Sequence, residues 1–349
     1  MPWIQKGNQL TLGEVTALVK GELIGDDQSV IRGICSIEEQ QPGAIAFSKA
    51  ESRIALGKLI SNCECRALII KRSAKLPESD TELNFIRVDD PLAAIVGLIP
   101  YFFEPLQPER TISTQADIDP SATIGTNVHI GAFCSLGKSV SIGDGAVLYP
   151  GVILYPEVTI GKNCVLHSGV TVREFCEISD ESVVQNGATI GTDGFGYYQD
   201  ESGLQPVPQV GTAVLGKKVD VGANSCIDRG AFGRTVISDS AKIDNLVQVG
   251  HNVQLGFSSI VCGHTAIGGS TKIGAGATLG GRVGVADHTT IESGARLGGG
   301  TGAIQATYPK GDYAGYPPRP ALAWRKEQAA LTKLPELLKR MNRVEKKLD

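Results

Sequence analysis

The sequence predicts a mainly β protein: a parallel β-helix of hexapeptide repeats, with a small N-terminal α/β domain and a C-terminal helical tail. Three observations carry this. Glycine is abundant, 43 of 349 residues, while aromatics are only 5%. Hydrophobic residues still reach 42%, enough for a sizeable core of small and aliphatic side chains. Through much of the chain, an aliphatic residue recurs at every sixth position.

Residues 1–103 lack the repeat and read as the α/β domain. Thr11 precedes a stretch, 12–19, with apolar residues at helical spacing, and a threonine there can cap the first turn. The aliphatic runs 67–70 and 85–88 read as strands. Glu104-Pro105-Leu106-Gln107-Pro108 reads as the linker.

The β-helix is expected over 111–303. Every sixth residue from Ile112 is aliphatic for fourteen positions: Ile112, Ile118, Ile124, Ile130, Leu136, Ile142, Leu148, Leu154, Ile160, Leu166, Val172, Ile178, Val184 and Ile190. With about a quarter of residues Ile, Leu or Val, chance would give such a run roughly once in a million. The register resumes at Leu215, Val221 and Ile227, slips by four residues, then runs from Ile237 to Leu297. A second column, four residues after the first, holds small side chains such as Ala116, Cys134, Ala146, Cys164, Cys176 and Ala188. Three hexads would close a triangular coil of about 18 residues. Aliphatic residues fill the prism and small ones pack near its corners, leaving no room for Trp or Phe. Glycine after the aliphatic, as at Gly125, Gly143, Gly161 and Gly274, is expected to serve turns of positive φ. Cys134, Cys164 and Cys176 fall in the small inward slot and read as buried packing residues.

Residues 191–213 interrupt the coil with Gly194-Phe195-Gly196-Tyr197-Tyr198 and two prolines. A loop this long in a tight coil is expected to project and to function. The tail, 320–349, is helical in composition. From Arg325 it carries eight Lys/Arg and four Asp/Glu, on a chain of net charge -4. Pro335 is expected to open a second helix.

Composition also excludes functions. A net charge of -4 gives no global basic field for nucleic acid or an anionic membrane. The first residues show no apolar leader, and no uninterrupted apolar stretch approaches the ~18 residues of a membrane span. A soluble cytoplasmic protein with no integral membrane segment is expected. The eight cysteines are scattered, and the close pair Cys63-Glu64-Cys65 lacks zinc spacing. Neither a metal signature nor a Gly-rich phosphate loop is present, so no metal and no intrinsic cofactor are expected.

The chemistry narrows to five histidines: His129, His167, His251, His264 and His288. Imidazole suits general-base work near neutral pH. Residues one coil apart stack about 4.8 Å apart along the axis. His251 therefore stacks on Gly269, and Gly269 on Asp287, with His288 next along. None lies in the inward columns. A base, a sterically open glycine N–H and a second histidine on one edge suit acyl transfer. The alternative reading is a non-catalytic scaffold or metal-binding β-helix.

Lys242-Ile243-Asp244-Asn245-Leu246-Val247-Gln248-Val249-Gly250-His251-Asn252-Val253 resembles the UDP-3-O-acylglucosamine N-acyltransferase family of lipid A biosynthesis, within the left-handed β-helix acyltransferases. So do Gly191-Thr192-Asp193-Gly194-Phe195-Gly196-Tyr197, Cys226-Ile227-Asp228-Arg229-Gly230 and Trp324-Arg325-Lys326. The resemblance covers nearly the whole chain. It implies the left hand and a homotrimer with sites between subunits. It also implies transfer of an acyl chain, of the 3-hydroxyacyl kind, from the 4′-phosphopantetheine of acyl carrier protein. The acceptor would be the 2-amine of UDP-3-O-acylglucosamine. By this resemblance His251 matches the base, Gly269 the oxyanion donor and His288 a second active-site histidine. Asp244, in the preceding hexad, is the candidate to orient His251. Phe47 matches one of two rings that hold uracil. Arg53 stands where the family has the second, and a guanidinium can stack on a base. Phe195 and Tyr197 are further substrate-binding candidates, and the basic tail would meet the acidic carrier. The related O-acyltransferase acting on UDP-N-acetylglucosamine lacks a uridine domain, so residues 1–100 argue against it.

Overall fold

The computed structural model describes residues 3–77 and 83–345. The chain divides into two compact units, with the boundary between Gln107 and Pro108.

The first unit is built on a five-stranded sheet. Its strand order is Glu22–Ile24, Asn84–Val88, Ala67–Lys71, Ala44–Phe47, Gly33–Ile34, and only the first pair is antiparallel. Residues 67–70 are all buried because helices cover both faces. Alternation sends Ile69 to one side, with α1 (Leu12–Leu18) and α3 (Pro91–Phe102). It sends Leu68 and Ile70 to the other, with α2 (Arg53–Ile60). Thr11 caps α1 as expected. Its hydroxyl accepts the Glu14 N–H, and the Glu14 carboxylate accepts the Thr11 N–H at 2.7 Å, a reciprocal capping box. The expected linker differs at its start, where Phe103–Pro105 pairs antiparallel with Trp3–Gln5. Pro105 is tolerated because this ribbon has only two strands, so its missing donor breaks no inner ladder.

The second unit is a left-handed parallel β-helix. Strands of mostly two residues stack into three sheets of ten, ten and eleven members. The aliphatic column pairs in register, as in Ile142 on Ile160 and Val249 on Ile267, and forms one continuous core from Val128 to Tyr308. The ladder continues past residue 303 to Asp312–Ala314. Tyr308 is fully buried in the last strand of its sheet, edge-on to Tyr313 at 5.3 Å. A ring does fit here, where no further strand of that sheet must stack above it. Phe133, Phe175 and Phe257 lie outside the prism, exposed.

Cys134, Cys164 and Cys176 are buried, and all eight cysteines are free thiols. Burial pushes the Cys164 thiol up to about 11, which suppresses the reactive thiolate. The glycines correct one expectation. Gly125, Gly143, Gly161 and Gly274 do not have left-handed backbone. A Cβ at Gly143 would lie 2.7 Å from the Gly161 carbonyl carbon, on the next coil. These glycines answer to the close approach of neighbouring coils, while non-glycine residues such as Asn163, Asn252 and His288 take positive φ.

The tail forms α4 (Ala321–Leu331) and α5 (Leu334–Glu345), with Pro335 at the second position of α5 as expected. Leu334, Leu337, Leu338, Met341 and Val344 make an exposed apolar stripe on α5. Among the described residues, no helix is long and apolar enough to cross a membrane.

Candidate active site

The site begins at a bulge. Ile190 faces Ile227 and Thr192 faces Asp228, so Gly191 is extra. Gly191 has a φ of 86°, and any Cβ there would overlap Cys176 Sγ. The chain then leaves the coil and folds into a hairpin, Tyr197–Asp200 paired with Gly203–Pro206. The projecting segment thus has structure of its own. The sequence pattern did not show it, because an exposed two-stranded ribbon buries no apolar column.

A buried ion pair anchors the exit. Arg229 is 5% exposed. Its Nε donates to the Gly191 carbonyl and its Nη2 to the Glu174 carbonyl, each at 2.9 Å. Its Nη1 pairs with Glu174 Oε1 at 2.9 Å. Arg173 grips the same carboxylate through Nε and Nη2. The Arg173 hydrogen bonds lead in pulling the Glu174 carboxyl down to about 2, against burial.

Held this way, the segment lies over His251. A Cβ at Gly194 would stand 2.6 Å from His251 Cβ. The Phe195 and Tyr197 rings meet edge to face at 5.0 Å, and Phe195 is 86% exposed. Both line an open cleft of about 1140 Å³, together with Asp228, Gln248, His251, Gly269, Asp287 and Tyr316.

The imidazole tautomer follows from its neighbour. His251 Nδ1 lies 3.1 Å from Asn252 Oδ1. The Asn252 amide has one orientation: Nδ2 donates to the Phe232 carbonyl at 2.7 Å, and Oδ1 accepts the Ala231 N–H at 2.9 Å. Oδ1 can only accept, so Nδ1 carries the proton and Nε2 keeps the lone pair.

Nε2 faces Gly269, where a Cβ would stand 2.5 Å from it. Glycine is therefore needed for space, not for its backbone angle. The Gly269 N–H donates to no acceptor among the described residues. That is unlike five equivalent turn positions. There a side chain takes the N–H: Asp144 at Thr126, Asp180 at Lys162, Asp239 at Lys217, Asn245 at Ala223 and Asp244 at Gly263. Asp287 stands to Gly269 as Asp144 does to Thr126, yet leaves the donor free.

Other expected residues fall elsewhere. Asp244 Oδ1 accepts from the Asn245 N–H at 2.8 Å and Oδ2 from the Gly263 N–H at 2.9 Å, so the side chain serves a turn. His251 is held by Asn252 instead, and Asp228 is the buried carboxylate among those on its cleft. Neither role was assigned from sequence, although an Asn directly after the histidine, at φ 58°, was a readable signal. His288 is exposed at a turn of φ 53°, and its N–H donates to the Gly269 carbonyl at 2.9 Å. In the first unit, Phe47 is half-buried against the core and Arg53 is exposed at the start of α2.

A hexapeptide coil with a histidine cleft on its edge defines a hexapeptide-repeat transferase. Residues 121–156 and 139–174 match the family model described as bacterial transferase hexapeptide (six repeats). UDP-3-O-acylglucosamine N-acyltransferase of Anaeromyxobacter sp. (strain Fw109-5) is 39% identical over 345 residues, covering 97% of this chain and 96% of the relative. UDP-3-O-acylglucosamine N-acyltransferase 1 of Francisella tularensis subsp. holarctica (strain OSU18) is 39% identical over 349 residues, covering 98% and 99%. A solved Arabidopsis UDP-N-acetylglucosamine acyltransferase is 25% identical, covering 59% of this chain and 71% of that one, with a TM-score of 0.53. The chain belongs to the UDP-3-O-acylglucosamine N-acyltransferase family, and it is an acyltransferase.

Proposed function

We propose that the enzyme moves an acyl chain from the 4′-phosphopantetheine of acyl carrier protein to the 2-amine of UDP-3-O-acylglucosamine. The product is UDP-2,3-diacylglucosamine, in lipid A biosynthesis. One observation carries the reading: a histidine with its lone pair on Nε2 stands beside a backbone N–H that nothing else occupies. His251 Nε2 takes a proton as the amine nitrogen attacks the thioester carbon. The Gly269 N–H donates to the oxyanion that forms. Collapse breaks the C–S bond, and the imidazolium returns the proton to the departing sulfur. His288 assists from the same edge. Phe195 and Tyr197 roof the cleft, and Phe47 and Arg53 take the uracil. No cofactor beyond the carrier's own group is needed.

The protein would work in the cytoplasm as a homotrimer. The α5 stripe is the kind of surface that several copies of a helix bury together. Purified protein should acylate UDP-3-O-acylglucosamine from a panel of acyl-carrier thioesters and leave UDP-N-acetylglucosamine untouched. The reverse preference would reassign it as an O-acyltransferase.

The basic tail would meet the acidic carrier and speed encounter more than it deepens affinity. Lys339→Glu, Arg340→Glu and Arg343→Glu together should raise the apparent KM for carrier protein. An unchanged KM would remove the docking role.

A further inference from the structure

Asp228 is 7% exposed, yet it lines the cleft. A carboxylate so buried is costly unless charge and hydrogen bonds compensate. Two hydrogen bonds are present: Thr192 Oγ1 donates to Oδ1 at 2.7 Å, and Gln248 Nε2 donates to Oδ2 at 2.9 Å. No cation forms an ion pair with it among the described residues. The adjacent Arg229 is engaged with Glu174. Register places Asp228 next to the base: Ile227 pairs with Val249, so Asp228 lies beside Gly250, the residue before His251, on the neighbouring coil. Gln248 ties it to the strand that leads into His251.

The other titratable groups on the cleft are Asp193, Asp287 and the phenols of Tyr197 and Tyr316. Asp193 leans toward Arg173 and Arg229 at 3.9 Å. His288 follows Asp287, and Cys226 begins the strand of Asp228. None of these is a fixed cation facing Asp228. The cation missing from this buried carboxylate is one that appears during the reaction.

We propose that Asp228 is the counter-charge of His251, a positioning carboxylate that stabilises the imidazolium formed when Nε2 accepts the amine proton. The proton passes from amine to Nε2 and on to the departing sulfur, and Asp228 stays ionised throughout. On balance burial holds the Asp228 carboxyl above the usual carboxylate range, while Thr192, Gln248 and a charge on His251 draw it back down. The proposal rests on the acyl-transfer reading above.

Asp228→Asn tests it. The amide keeps the shape, and Gln248 can turn its own amide to accept from the new NH2 group. A carboxylate beside an imidazole favours its charged form. Removing that charge should therefore move the acidic limb of the kcat/KM profile to lower pH, by about one unit, and lower kcat about tenfold or more. The His251 ring protons, followed by NMR, should titrate at correspondingly lower pH, a readout independent of turnover. Reduced activity with an unmoved limb and an unmoved titration would make Asp228 merely structural and overturn the proposal. If Asp228→Asn fails to fold, Asp228→Ser is read by the same two measurements. Failure of the acyl-transfer reading shows elsewhere, as parent protein that acylates no UDP-sugar from any acyl-carrier thioester.

Discussion

His251→Ala should lower acyl transfer at least ~10²-fold, the size expected when a general base is lost, and leave the β-helix folded. The fold should survive because His251 is outside the prism. The inward positions around it are Val249 and Val253, which stay buried. The oxyanion donor at Gly269 also survives, so a residual rate above background is expected. His251→Gln separates shape from basicity: its amide can still bond to Asn252 but cannot carry the proton. Both variants should keep the circular dichroism and elution volume of the parent. Full activity in either would sink the assignment of His251 as base.

Arg229→Met should destabilise the protein by about 2–4 kcal/mol, the cost of leaving two buried carbonyls and one carboxylate oxygen without a donor. The Glu174 carboxylate, and the carbonyls of Gly191 and Glu174, would lose donors in a place that water reaches poorly. Urea titration reads the loss, and hydrogen exchange should show residues 191–213 loosening first. Glu174→Gln added to Arg229→Met should recover little, because Arg173 still pairs with the carboxylate and the two carbonyls stay without their donors. The pH dependence has a definite sign. Glu174 has its folded-state value depressed, from an ordinary 4.5 to about 2. Its contribution is full above about 4.5 and is lost as pH falls toward 2. The Arg173 hydrogen bonds lead in that depression and survive the substitution, so the gap between parent and Arg229→Met should narrow on acidification through that window only by the share that the Arg229 charge supplies. A constant gap would show that the ion pair is not the source.

Much of the fold was legible because a prism repeats its demands. Each hexad must bury one aliphatic and one small residue, so Leu166, Val172 and Cys176 announce their places in one dimension. The capping box at Thr11 and the helix start at Pro335 were legible for a similar reason, since both are settled within four residues. Tyr308 was not legible as a core residue. Its burial depends on standing at the end of a sheet, which the hexad pattern does not mark.

The site divides in the same way. His251, Gly269 and Asp287 could be stacked by counting, because no insertion separates their coils. Asp228 could not. The four-residue slip after Ile227 changes the offset, so Ile227 meets Val249 rather than the residue eighteen on. Gly191 adds a further residue on the other side. Counting also cannot aim a side chain, and Asp244 turned to the free N–H of Gly263 rather than to the imidazole.

The sequence by itself determined the coil, its inward columns, the edge that carries the histidine and the family to which the chain belongs. Those properties follow from period and local motif, which survive in one dimension. Only the tertiary structure decided which nitrogen of His251 is basic, which backbone N–H is left open, and which carboxylate stands beside the base. Those depend on hydrogen bonds between side chains from different coils, and insertions reset the coil register that brings such side chains together.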